Sequence, residues 1–98
     1  MSQQEPHAGS FKALADPTRR AILRLLRKGE MMAGDIAANF AMAAPSVSHH
    51  LSVLTGAGLL RVRREGSKLF YSLDLTVMQE LTALILDLTP PSRPTDEK

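Results

Sequence analysis

Cysteine is absent from the 98 residues. That absence removes disulfides, thiolate metal sites, a zinc ribbon and a cysteine nucleophile together. No apolar run approaches the roughly 20 residues that span a bilayer, so membrane insertion is not expected. The opening stretch Met1–Gly9 is polar and lacks the apolar core of a secretory signal, which points to a cytoplasmic protein. Catalytic signatures are missing as well. There is no glycine-rich phosphate loop, no serine nucleophile elbow and no carboxylate–histidine constellation, so the chain does not read as an enzyme.

What is present amounts to one domain's length of chain, 44% apolar. So short a domain buries a modest share of its surface and gains much by sharing a core with a second copy. The net charge is only +2, but it is unevenly placed. Six basic residues (Lys12, Arg19, Arg20, Arg24, Arg27, Lys28) stand against Glu5, Asp16 and Glu30 in the first 30 positions. Arg61, Arg63, Arg64 and Lys68 then face Glu65 alone, whereas five acids against Arg93 and Lys98 follow Ser72. A molecule basic on one side suits a polyanion there; solubility is the plainer explanation.

Residues 1–9 and the proline-rich, charged residues 90–98 read as flexible tails around one folded block, 10–89. Phe11–Ala15 predicts a short helix. Asp16-Pro17 then opens a second, with aspartate as cap and proline at the first position. Ile22, Leu25 and Leu26 form its buried stripe, and Lys28-Gly29 ends it. Gly34–Phe40 predicts a third short helix, and Pro45–Thr55 a fourth with Val47, Leu51 and Leu54 inward and Gly56 and Gly58 at its end. Two short helices joined by the brief link Ala41–Ala44 form a helix-turn-helix.

The period then changes from helical to alternating. Leu60–Arg64 and Lys68–Leu73 around Glu65-Gly66-Ser67 predict a two-stranded hairpin, the wing of a winged helix. A last helix covers Leu75–Leu88, where Thr76 and Gln79 fit a capping box. Its stripe Leu81, Leu84, Ile85 and Leu88 is widened by Met78, Ala83 and Leu86, more than one small domain can cover. The fold class is therefore mainly α with a small β-hairpin (α+β), with about five helices.

Five segments carry a closer likeness. Phe11-Lys-Ala-Leu-Ala-Asp-Pro-Thr-Arg-Arg-Ala-Ile-Leu-Arg-Leu-Leu, Gly34-Asp-Ile-Ala, Pro45-Ser-Val-Ser-His-His-Leu-Ser-Val-Leu, Ala57-Gly-Leu-Leu and Tyr71-Ser-Leu follow one another in order and spacing. The chain from Phe11 to Leu88 resembles the ArsR family of winged helix-turn-helix transcriptional repressors, most of all its SdpR-like autorepressor branch. The resemblance implies a homodimer held by the first and last helices, two reading heads for a pseudo-palindromic operator, and repression by occupying promoter DNA until an input lowers the affinity.

On that reading the double-stranded DNA contacts are Ala44, Pro45, Ser46, Ser48, His49 and Ser52 on the reading helix. Short hydroxyls and an imidazole approach base edges without bulk. His50, about 100° further round the helix, packs within the domain. Arg63, Arg64 and Lys68 cluster at the wing tip, where they reach phosphates or the minor groove. By alternation Arg63 projects away from the face of Leu60 and Val62. Arg19 and Arg20 either touch phosphates or pair with Glu5 or Glu30. The dimer seam takes Phe11, Leu14, Met78, Leu81, Leu84, Ile85 and Leu88.

The chain departs from the family pattern where helices begin. Ala43-Ala44 replaces the usual serine cap of the reading helix, and Met32 stands where a capping threonine is common. An alanine cap is weaker by roughly 1 kcal/mol, and sequence selectivity carried by that first turn is reduced.

The family's metal sensors use cysteines near the helix-turn-helix or histidines and acids on the last helix. This last helix offers only Glu80 and Asp87, a poor transition-metal pair, so no metal or cofactor is expected. The remaining inputs are a small-molecule inducer, a sequestering protein, or simple autoregulation without an inducer. Met31, Met32 and Met42 either line an adaptable pocket or fill gaps in the core. A winged helix that binds only protein is the competing function, because fold alone does not fix function.

Overall fold

The computed structural model describes residues 7–91. The order of elements is helix α1 (Ala8–Leu14), helix α2 (Pro17–Leu25) with a tight 3₁₀ turn (Leu26–Lys28), strand β1 (Met31–Met32), helix α3 (Ala33–Ala37), helix α4 (Ala44–Gly56), strands β2 (Leu60–Glu65) and β3 (Lys68–Leu73), and helix α5 (Leu75–Leu88). This is an α+β winged helix-turn-helix with five α-helices. Ala8 and Gly9, expected in a tail, form the first turn of α1; the rest of both expected tails lies largely outside the described residues.

Local chemistry sets most boundaries. Asp16 has extended backbone angles, and its carboxylate accepts the Arg19 backbone N–H at 3.0 Å, while Pro17 at the first helical position has no N–H to satisfy. The following 3₁₀ turn stops at Gly29, whose φ of 141° a side chain would disfavour. At the end of α4, Leu59 N–H donates to Leu54 C=O and Gly58 N–H to Thr55 C=O, both at 3.0 Å, with Gly58 at φ 85°. That pairing is a Schellman motif, which needs glycine at this position and turns the chain into β2. Gly66 supplies positive φ at the first of the two hairpin-turn residues, matching the twist of the strands.

The sheet has three strands in the order β1-β3-β2, one more than the alternation predicted. Met31 pairs with Tyr71 and Met32 with Phe70, so these methionines form a strand. Two residues are too short to show a period, which is why the sequence conceals β1. The third helix also ends sooner than expected: Asn39 and Phe40 close it with turn hydrogen bonds to Ile36 and Ala37. The cap of α5 is Asp74, not Thr76: its carboxylate accepts Val77 N–H at 3.1 Å. Asp74 also donates its own N–H to Leu59 C=O at 2.9 Å, which fixes where α5 leaves the sheet.

One core gathers all of this. Ala13, Ile22, Leu23, Leu26, Ile36, Val47, Leu51, Leu54, Leu59, Leu60 and Leu81 are buried in a single cluster. Leu23 was outside the expected stripe of α2 and is buried, while Leu25 is half-exposed. The helix is wedged between α1 and α4, so two flanks are covered where a one-sided pattern predicts one. Ser10 is the buried polar residue of the core, and its hydroxyl donates to Ala57 C=O at 2.7 Å, tying α1 to the end of α4.

Candidate nucleic-acid interface

Helix α4 has one face in the core and the other in solvent. Val47, Leu51 and Leu54 are buried, and Ala44, Pro45, Ser46, Ser48, His49 and Ser52 are all exposed. Its N-cap, Ala43, has the extended backbone of a cap but makes no side-chain hydrogen bond. Met32 ahead of α3 is likewise an extended cap without one. No side-chain oxygen caps the first turn of either helix; in α4 Pro45 has no N–H, and the Ser46 N–H donates to the Ala43 C=O at 2.9 Å.

His49 and His50 take different roles. His49 is exposed. The His50 ring is only 17% exposed and lies with Nδ1 3.3 Å from an Arg19 guanidinium nitrogen and 3.9 Å from the Asp16 carboxylate. Asp16 is held below the usual carboxylate range, first by the Arg19 backbone N–H and then by the charges of His50 and Arg19. This cluster joins the start of α2 to the middle of α4 and orients the reading helix.

Arg19 and Arg20 turn out to finish α1. Arg19 Nε donates to Ala13 C=O at 2.8 Å, and Arg20 donates to Leu14 C=O at 2.9 Å. Those are carbonyls at the end of α1 that no helical N–H can reach, where cationic side chains are favoured. Neither pairs with Glu30, and Glu5 lies outside the described residues.

The wing divides its cations. Arg63 opposes Phe70 across the strands, on the face away from Leu60 and Val62. Two of its guanidinium nitrogens donate to the two Glu30 carboxylate oxygens at 2.9 Å each, Glu65 lies 3.6 Å away, and the guanidinium carbon stands 4.4 Å from the centre of the Phe70 ring. This forked pair lowers the Glu30 carboxyl below its ordinary range, chiefly through the Arg63 hydrogen bonds. Arg63 is thus a brace between the wing and the chain before β1, not a free cation at the tip. Sequence alternation put it on the correct face but could not show Glu30 arriving there from 33 positions away. Arg61, Arg64 and Lys68 are exposed and have no carboxylate within ion-pair distance among the described residues.

The residues expected at a dimer seam separate as well. Leu81 is 5% exposed and belongs to the domain's own core. Phe11, Leu14 and Met78 are half-buried beside it. Beyond Leu81 the helix runs clear of the domain: Leu84 is half-buried, and Ile85, Leu86 and Leu88 are 50%, 66% and 73% exposed. Leu75, 63% exposed, adds an apolar side chain that the sequence stripe missed. His7 Nε2 to Glu80 Oε1, at 3.1 Å, fastens α1 against α5. No three metal-ligating side chains gather among the described residues, and no helix there is long and apolar enough to cross a membrane.

Comparison with known proteins agrees with this architecture. The sequence model of a helix-turn-helix domain matches residues 14–63. The chain is 51% identical to the transcriptional repressor SdpR of Bacillus subtilis over 70 residues, 71% of this chain and 78% of that one. It is 37% identical to an uncharacterised HTH-type transcriptional regulator of Methanocaldococcus jannaschii over 89 residues, covering 90% of this chain and all 100% of the relative. Among solved structures it superposes on an ArsR family transcriptional regulator with a TM-score of 0.79 at 32% identity, over 90% of this chain and 92% of the other. NolR from Sinorhizobium fredii gives 0.67 at 32% identity over 86% and 93%. A buried-and-exposed α4, a hairpin wing beside it and these relatives lead to one conclusion: the chain belongs to the ArsR family of winged helix-turn-helix, DNA-binding transcriptional repressors.

Proposed function

We propose that this repressor acts in the cytoplasm as a homodimer on a pseudo-palindromic operator, laying the exposed face of α4 in the major groove and the wing on the adjacent phosphates. The observation that carries this reading is the division of α4: one face is wholly committed to the core, and the other presents Ser46, Ser48, His49 and Ser52 without a bulky or acidic side chain among them. Small donors and acceptors of this kind read base edges at close range. Arg61, Arg64 and Lys68 supply the phosphate contacts. Arg63 holds the wing in place through Glu30 and Phe70, and Arg19 and Arg20 hold α1. DNA contact is thus assigned to fewer arginines than the charge pattern alone suggests.

The second copy covers the outer part of α5, together with Phe11 and Leu14 of α1. A bare row of Ile85, Leu86 and Leu88 is costly in water, and burying each such side chain is worth about 1.5–3 kcal/mol. Occupying the promoter of its own gene is the simplest mode of repression for so small a protein. Footprinting of the DNA upstream of the gene tests the whole reading. Two protected half-sites about one helical turn apart are expected of a dimer; a single protected half-site, or no salt-sensitive binding at micromolar protein, would refute it.

A further inference from the structure

A cleft of about 500 Å³ opens between the end of α2, the Gly29 turn, β1 and the segment after α3. Its size falls in the range of small-molecule sites, roughly 300–1,000 Å³. Leu25 and Met31, both half-buried, give it an apolar lining. Arg24 and Lys28 stand at its edge, exposed and without a carboxylate partner among the described residues. The acid that also lines it, Glu30, is already committed to Arg63 by two 2.9 Å hydrogen bonds. Asn39 uses its amide N–H on the Asp35 carbonyl and keeps its oxygen open. The cleft therefore presents two uncompensated cations over an apolar floor. That combination favours an anionic headgroup attached to a hydrocarbon or aromatic body.

We propose that this cleft, separate from both the DNA face and the outer half of α5, is an effector site for small amphipathic carboxylates. The carboxylate sits between Arg24 and Lys28, and the apolar body lies on Leu25 and Met31. Occupancy is communicated to DNA because Glu30 belongs to both places: it borders the cleft and it braces the wing through Arg63. A carboxylate brought beside Glu30 within the range of unscreened Coulomb repulsion alters that brace. The effector role rests on the repressor reading above; the ligand class does not.

The test uses octanoate as probe, with 1-octanol and inorganic phosphate as the uncharged and purely anionic comparisons. In amide nuclear magnetic resonance spectra of the full chain, octanoate should move Leu25, Gly29, Met31 and Asn39, and the two comparison compounds should move them far less. The double variant Arg24→Gln/Lys28→Gln replaces two exposed side chains and should keep its spectrum while binding octanoate at least tenfold more weakly. Shifts confined to α5, equal binding by the double variant, or equal effects of phosphate would overturn the site. With octanoate saturating, operator affinity should fall about fivefold or more in the unmodified chain and stay unchanged in the double variant. Octanoate held in the cleft with no change in operator affinity overturns the effector role. A chain that takes octanoate there but binds no promoter would overturn the repressor reading and the effector role while leaving the ligand class standing.

Discussion

Replacing Arg64 and Lys68 together by alanine removes two unpaired cations from each wing, and replacing Arg63 removes one that is already neutralised by Glu30. The two perturbations separate phosphate contact from wing bracing. Each phosphate contact contributes about 0.9 to the slope of log affinity against log salt. A dimer that loses four contacts should thus show a slope shallower by about 3.6, and the drop in affinity between about 50 and 200 mM salt should shrink by about two orders of magnitude. The Arg63→Ala slope should change by less than about one unit, because the phosphates gain or lose little charge from a guanidinium already paired with an acid. Its effect should appear instead as weaker binding at every salt concentration, since the wing loses its tie to the segment before β1. Fluorescence anisotropy of a labelled promoter duplex across a salt series measures both. If Arg63→Ala flattens the slope as much as the double variant does, Arg63 contacts phosphate when DNA is bound and the brace assignment is wrong.

The cap of the reading helix offers a gain rather than a loss. Ala43→Ser adds a hydroxyl acceptor on a backbone already in the capping conformation. With Pro45 lacking an N–H, it can only share the Ser46 N–H, so it should stabilise the fold by about 0.5 kcal/mol, the low end for a cap. For a domain of this size that corresponds to a melting temperature higher by about 2–4 °C; no rise would mean that the Ser46 N–H, already held by the Ala43 C=O, gains nothing from the hydroxyl. Ile85→Glu with Leu88→Glu lies clear of the core, so helix content should persist while sedimentation shows monomers and operator affinity collapses. Persistence of the dimer would remove α5 from the interface. The Asp16 carboxyl is held below its ordinary range when folded, so its contribution to stability is complete above the unfolded value of about 3.9 and is lost as pH falls through the folded value. Asp16→Asn keeps a capping side chain but not the charge; it should be less stable at neutral pH and lose less as pH falls below the unfolded carboxyl value of about 3.9. Parallel acid-unfolding curves for the two proteins would reject the charge as the cause.

Much of the fold was legible before any coordinates. The Asp16-Pro17 start, the apolar stripe of α4, the Gly58 exit and the alternation of the wing each follow from a local rule that no distant contact overrides. The exposed set on α4 was readable for the same reason, because a helix with three inward residues at i, i+4 and i+7 has no choice about the others. The weak caps at Met32 and Ala43 were likewise visible as residue types that offer no oxygen. Other features were not legible. Strand β1 is two residues long and exists because β3 offers it an edge. Thr76 and Gln79 satisfy the spacing of a capping box, but Asp74, also held by Leu59, takes the cap first.

Charge shows the division most clearly. The sequence by itself determined which residues are cationic, that they gather in α2 and the wing, and that no cysteine can serve as a switch. It also determined the amphipathic periods that make a winged helix the economical way to bury them. Only the tertiary structure decided which cations remain free. Arg19 and Arg20 were drawn to the open carbonyls of α1, and Arg63 to Glu30, because a guanidinium satisfied by fixed acceptors within the fold is better placed than one left to water. Those pairings join residues up to 33 positions apart. They depend on how α1 meets α2 and how β1 meets β3, which no spacing rule along the chain contains.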